Sequence, residues 1–96
     1  MKKINVGMVG VGGIANGVHI PGYLQSRDGE VVAICDINPA ALARTAERLH
    51  IPPERCFADY HELIACPDVE VVDIATPDVW HCPIAMEAIR QHKPVS

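Results

Sequence analysis

Aromatic residues are scarce in this 96-residue chain: one Trp, two Tyr and one Phe. A core built without them draws on Val, Ile and Ala, the composition of a parallel sheet covered on both faces. Cys-x-x-Cys pairs are missing too. Cys35, Cys56, Cys66 and Cys82 lie far apart, so neither a zinc ribbon nor a dithiol redox motif is expected. The cysteines read as reduced thiols of a cytoplasmic protein. No run is long and apolar enough for a membrane span. Basic clusters are absent, and the formal charge is −4, from 8 Lys and Arg against 12 Asp and Glu. Nucleic acid and membrane are therefore not expected partners. There is no internal repeat and no low-complexity segment. Lys2-Lys3 before an apolar stretch imitates a secretory leader, but Asn5, Gly7, Gly10, Gly12 and Gly13 interrupt that stretch.

The glycines themselves carry the strongest signal. An apolar run from Lys3 to Val9 ends in Gly10-x-Gly12-x-x-Ala15, and helical spacing follows. This is the dinucleotide-binding fingerprint in its required strand-to-helix context. Gly10 permits the tight turn. Gly12 lets a pyrophosphate approach the backbone. Ala15 is small enough for helix and strand to pack closely. Gly13 and Ile14 open the helix, whose free N–H groups favour phosphate.

Asp36 ends the next apolar run, Glu30 to Asp36. It stands about 20 residues beyond the glycines, where an acid accepts from the adenosine ribose hydroxyls. A carboxylate there repels a 2′-phosphate, so NAD is expected over NADP. The plainer reading is that Asp36 opens the Asp36-Ile37-Asn38-Pro39 turn.

The rest of the chain alternates strand and helix. The first helix is expected from Gly12 or Gly13 to about Arg27, with Ile14, Ala15 and Val18 facing the sheet and a bend near Pro21. Asn38-Pro39 starts a second helix, to about His50, with Leu42, Thr45, Ala46 and Leu49 inward. Arg55 to Phe57 is a short third strand. Asp59-x-x-Glu62 resembles a capping box for a short helix through Ile64. Val69 to Ala75 is the fourth strand. A last helix runs from about Val79 to His92, with Ile84, Ala85, Ala88 and Ile89 on one face. Lys93 to Ser96 begins a fifth strand. This order predicts a Rossmann-type α/β fold, a doubly wound parallel sheet with right-handed crossovers. In the usual strand order the loop from Thr76 to His81 borders the switch point, beside the nicotinamide half of a cofactor; the plainer reading of the loop by itself is a proline turn with a helix cap at Asp78.

Together, Gly10-Val11-Gly12-Gly13-Ile14-Ala15, His19-Ile20-Pro21, Val32-Ala33-Ile34-Cys35-Asp36 and Ala75-Thr76-Pro77-Asp78-x-x-His81 resemble the N-terminal half of the Gfo/Idh/MocA oxidoreductases. The resemblance covers essentially the whole chain. It implies NAD(P)-dependent oxidation or reduction of hydroxyl and carbonyl groups on sugars, cyclitols or similar small molecules, in a homo-oligomer. It implies cofactor contacts by Gly10, Gly12, Gly13, Ile14, Asp36, Thr76, Pro77 and His81. Where the family usually has Thr-Pro-Asn this chain has Thr76-Pro77-Asp78, which adds a negative charge there. The family's catalytic lysine follows strand five in a Glu-Lys-Pro motif. Lys93-Pro94 precedes that strand, on the edge away from the cofactor. Residues 1–96 are thus expected to be an incomplete dinucleotide-binding domain, without catalytic residues and without the substrate domain. Alternatives are a non-catalytic NAD-binding regulator or redox sensor and, less in keeping with the Thr76-Pro77 loop, a methyltransferase.

Overall fold

The structure, a computed structural model, describes residues 3–96 apart from the Asp78 side chain. The expectation about the Asp78 charge therefore lies outside the described residues, as does Lys2. The apolar runs form β1 (Ile4–Val9), β2 (Gly29–Cys35), β3 (Cys56–Phe57) and β4 (Val71–Ile74). They make one parallel sheet in the order β3-β2-β1-β4. Every connection between these strands passes through helix, as the alternation of patterns requires. β4 is shorter than the apolar run. Val69 is held in a turn by its N–H to the Cys66 carbonyl, yet stays buried. Beyond β4, Val95 forms a parallel bridge with Val72: Val72 donates to the Pro94 carbonyl at 2.9 Å and accepts from Ser96 at 2.8 Å. The fifth strand position thus begins beside β4.

Both faces of the sheet are covered, which is why its strands are continuously apolar. On one face α3 (Tyr60–Ala65) and α4 (Asp78–Arg90) bury Leu63, Ile64, Ile84 and Ala88 against Val69, Val72 and Ile74. On the other, Ala15, Ile20, Ala41 and Ile51 pack on Met8 and Ile34. Gly7 in β1 faces the first of these cores. A Cβ there would stand 2.8 Å from Leu63 and Val69 side-chain atoms.

The first helical segment departs from expectation. Its residues Ala15–His19 are π-helical and run into α1 (Ile20–Gln25). The Ile20 N–H reaches the Ala15 carbonyl, five residues back. One extra residue in the turn aligns Ala15 with Ile20, both fully buried, and turns Ile14 and Val18 outward, 62% and 67% exposed. The predicted inner face of Ile14, Ala15 and Val18 is corrected on that account, and only Ala15 belongs to it. The irregularity lies just before Pro21, whose missing N–H falls where the π-helical turn meets α1.

The second helix, α2 (Pro39–Leu49), is as read. Asn38 accepts from the N–H groups of Ala40 and Ala41, and Pro39 takes the first position. His50 ends it in a left-handed conformation, φ 57°, before the prolines are reached. Asp59 caps α3 by accepting from the His61 N–H. In α4, Ile84 and Ala88 are buried but Ile89 is 63% exposed, which corrects the predicted face.

Candidate cofactor site

The site is assembled at the carboxyl ends of β1, β2 and β4. Leaving β1, Gly10 takes φ 90°, a conformation L side chains rarely adopt. A Cβ there would meet the Thr76 methyl at 2.8 Å and the Ala75 carbonyl oxygen at 2.9 Å. The Gly10 N–H donates to the Cys35 carbonyl at 2.8 Å, so this glycine locks the loop to both neighbouring strands. Gly12 and Gly13 differ: an added Cβ finds no protein atom within 4 Å at either. Their Cα faces are open to the cleft.

Asp36 closes the loop from the side. Its Oδ2 accepts from the Val11 N–H at 2.9 Å and its Oδ1 from the Asn38 N–H at 2.8 Å. The turn reading of Asp36 is therefore realised, and it leaves room for a ligand. Each oxygen has a further acceptor position, and the residue lines the cleft.

Asn16 was not singled out from the sequence, yet it braces the loop from below. Its Nδ2 donates to the Val11 carbonyl at 2.7 Å, the Gly12 carbonyl at 3.1 Å and Thr45 Oγ1 at 3.1 Å. Arg48 donates to the Asn16 backbone and side-chain oxygens. A polar residue one turn into an otherwise small and apolar helix start was the signal available.

These elements surround a cleft of about 830 Å³. The glycine loop forms its floor, and Asp36 and Ile37 one wall. Asp59 and Tyr60 stand beside them, while Thr76, Pro77 and Trp80 form the far wall. The volume suits a ligand of dinucleotide class. A second hollow, about 180 Å³, lies around Lys3, Gly29 and His50 and shares no residue with the glycine loop. The Thr76 hydroxyl is buried without a hydrogen-bond partner, a costly state for a polar group. The open glycines, the acceptor positions on Asp36 and the orphaned Thr76 hydroxyl all fit a polar, phosphate-bearing nucleotide.

Of the residues named from the sequence, Gly10, Gly12, Gly13, Ile14, Asp36, Thr76 and Pro77 line this one cleft. His81 does not. It is exposed on α4, and Trp80 takes the place beside Pro77. Lys93 donates from Nζ to the Cys66 carbonyl at 2.6 Å, at the carboxyl end of α3. Burial, and then the charges of Asp36, Asp59 and Glu62, push the Cys35 thiol up to about 12, so it stays neutral beside the cleft. All four cysteines are unpaired.

Comparison with known proteins follows the same lines. The Gfo/Idh/MocA family, described as an oxidoreductase family with an NAD-binding Rossmann fold, matches residues 4–96. An inositol 2-dehydrogenase of Rubrobacter xylanophilus is 34% identical over 95 residues, 98% of this chain and 26% of that protein. A glycosyl hydrolase family 109 protein of Saccharopolyspora erythraea is 31% identical over 101 residues, 98% of this chain and 22% of its own. Among solved structures, the WlbA dehydrogenase from Bordetella pertussis, in complex with NADH and UDP-GlcNAcA, superposes with a TM-score of 0.88 at 30% identity. That match covers 98% of this chain and 28% of WlbA. The chain thus spans about a quarter of the length of the relatives it matches. The fingerprint, the parallel sheet and the match over nearly every residue lead to one conclusion: the chain belongs to the Gfo/Idh/MocA oxidoreductase family, with its NAD-binding Rossmann fold.

Proposed function

We propose that residues 1–96 are the cofactor-binding part of a longer NAD-dependent oxidoreductase acting on CH–OH groups of a sugar, a cyclitol or a similar small molecule. The observation that carries this reading is the glycine loop tied through the Val11 N–H to the Asp36 carboxylate and open to the cleft. In this reading Gly12, Gly13 and the helix start at Ile14 hold the pyrophosphate. Asp36 accepts from the adenosine ribose. Thr76 and Pro77 border the nicotinamide half, where the Thr76 hydroxyl gains the partner it lacks. The nicotinamide supplies the hydride chemistry when bound, and the protein's part is orientation and electrostatics. The Asp36 charge disfavours a 2′-phosphate, so NAD is preferred to NADP.

The proton-transferring lysine and the substrate domain are assigned to the remainder of the longer protein, since Lys93 is engaged elsewhere. Relatives named as a dehydrogenase and as a glycosyl hydrolase share this domain, so the reaction is decided by residues the domain does not supply. The unpaired cysteines suit a reducing, cytoplasmic setting, and the homo-oligomer is proposed by analogy with the family.

The test is a titration of the chain with NADH and with NADPH, followed by intrinsic and cofactor fluorescence. NADH is expected to bind more tightly. Asp36→Ala should narrow the gap by about 1–3 kcal/mol, the scale of hydrogen bonds to a charged group. Equal affinity of the unmutated chain for the two cofactors overturns the reading of Asp36, and no binding of either overturns the site.

A further inference from the structure

We propose that His19, Asp73 and Tyr23 form a strap that sets the spacing between the two walls of the cleft, the glycine loop and the Thr76–Pro77 loop. They are positioning residues for a ligand that spans both walls. The inference rests on the reading of the cleft as an NAD(H) site.

Asp73 is the buried carboxylate of the described residues, 4% exposed. It lies on β4, three residues before Thr76 and opposite Met8 of β1. Its neighbours Val72 and Ile74 face α3 and α4. Strand alternation therefore sends the Asp73 side chain to the other face, beneath the first helix. There His19 Nδ1 stands 2.9 Å from Oδ1 and 3.1 Å from Oδ2, and the Tyr23 hydroxyl donates to Oδ2 at 2.6 Å. A carboxylate only accepts, so His19 donates through an Nδ1–H. Burial, and then the bond to Asp73 and its charge, push the Tyr23 hydroxyl up to about 12, which keeps it a donor.

The helix is shaped for this contact. In a regular α-helix with Ala15 inward, the residue four positions on, His19, would follow it toward the core. The π-helical turn gives that inward place to Ile20, fully buried. His19 is released to the side, one turn before Tyr23, and the two residues share a face. Such turns recur at functional sites. Among the described side chains, these are the hydrogen bonds that join this helix to β4. The helix begins at the glycine loop, and β4 runs directly into Thr76. The strap therefore couples the part of the site that holds pyrophosphate to the part assigned to nicotinamide.

A residue that only stabilised the fold would weaken every ligand alike. A strap that sets the spacing weakens the ligand that reaches both walls. NADH reaches both, whereas ADP reaches only the glycine loop and Asp36. The experiment measures both affinities calorimetrically in the unmutated chain, in Asp73→Asn and in Tyr23→Phe, with circular dichroism to establish folding. Asp73→Asn keeps the shape and removes the charge. Tyr23→Phe removes one hydroxyl and is the variant that decides if Asp73→Asn does not fold. NADH affinity is expected to fall by about tenfold in Asp73→Asn, and less in Tyr23→Phe, the scale of hydrogen bonds to a charged group. ADP affinity is expected to stay within about twofold, well under 1 kcal/mol. A parallel fall for both ligands, or unchanged NADH affinity in folded variants, overturns the strap while leaving the site itself in place. Failure of the unmutated chain to bind NADH overturns the site reading and the strap with it.

Discussion

Gly10 and Gly12 stand two residues apart in one loop and answer to different demands. Gly10 is required by the fold, since its φ is 90° and a Cβ would collide with the Ala75 carbonyl oxygen. Gly12 has open space where its Cβ would be, so only a ligand requires it. Gly10→Ala is therefore expected to cost about 1–3 kcal/mol of stability, the scale of a strained backbone site. A thermal melt checks this. Gly12→Val should leave the melt nearly unchanged and abolish NADH binding, because the added side chain occupies the pyrophosphate's place. Unchanged NADH affinity in a folded Gly12→Val would make the loop a plain turn. The fingerprint marked both glycines, but only the packing around each tells their duties apart.

Among the elements, α4 shows how local chemistry holds an end. Glu87 accepts from Arg90 and from Gln91 Nε2 in the last turn. The Arg90 hydrogen bond first, and then that of Gln91, hold the Glu87 carboxyl down at about 2 against an ordinary 4.5. A depressed carboxylate stabilises the fold at pH above its unfolded value and loses that contribution as pH falls through the folded one. Stability should thus decline as pH drops from about 4.5 to about 2, and Glu87→Gln should flatten that part of the curve. Chemical denaturation at several acidic pH values checks this, and an unchanged slope in Glu87→Gln would show that the bonds add nothing. The ends of elements were less legible than their existence. Asn38-Pro39 marked the start of α2 because capping is local. Pro21 announced a bend in the first helix, but not that the π-helical turn at Ala15–His19 would bring His19 to a carboxylate 54 residues away.

For the molecule as a whole, the question is what covers its apolar surface. On its outer edge β4 is joined to the segment around Val95 through a bridge at Val72, and on α4 Ile84 and Ala88 are buried. One exposed apolar surface is the outer side of α4, where Val79, Met86 and Ile89 are 77%, 61% and 63% exposed. Residues 79, 86 and 89 fall on one stripe of the helix, opposite Ile84 and Ala88. A contiguous apolar patch of this kind drives association. The chain is expected to self-associate at high micromolar concentration, and Met86→Glu with Ile89→Glu should shift it toward monomer. Sedimentation velocity checks both, and a stable monomer of the unmutated chain would show the stripe to be inert.

The sequence by itself determined the order of strands and helices, the glycine loop, the acid at the end of β2 and the family. Each of these is written in neighbouring residues, as backbone freedom, capping or period. Tertiary structure alone decided what Asp36 holds, that Asn16 braces the loop, that Trp80 rather than His81 lines the cleft, and that His19 and Tyr23 meet Asp73. Apart from the local reach of Asn16 back to Val11, the hydrogen bonds among them join residues 25 to 54 positions apart in the chain. Sequence spacing carries no record of them, because they depend on how each helix is rotated over the sheet, and a single extra residue in the first helix turned that rotation.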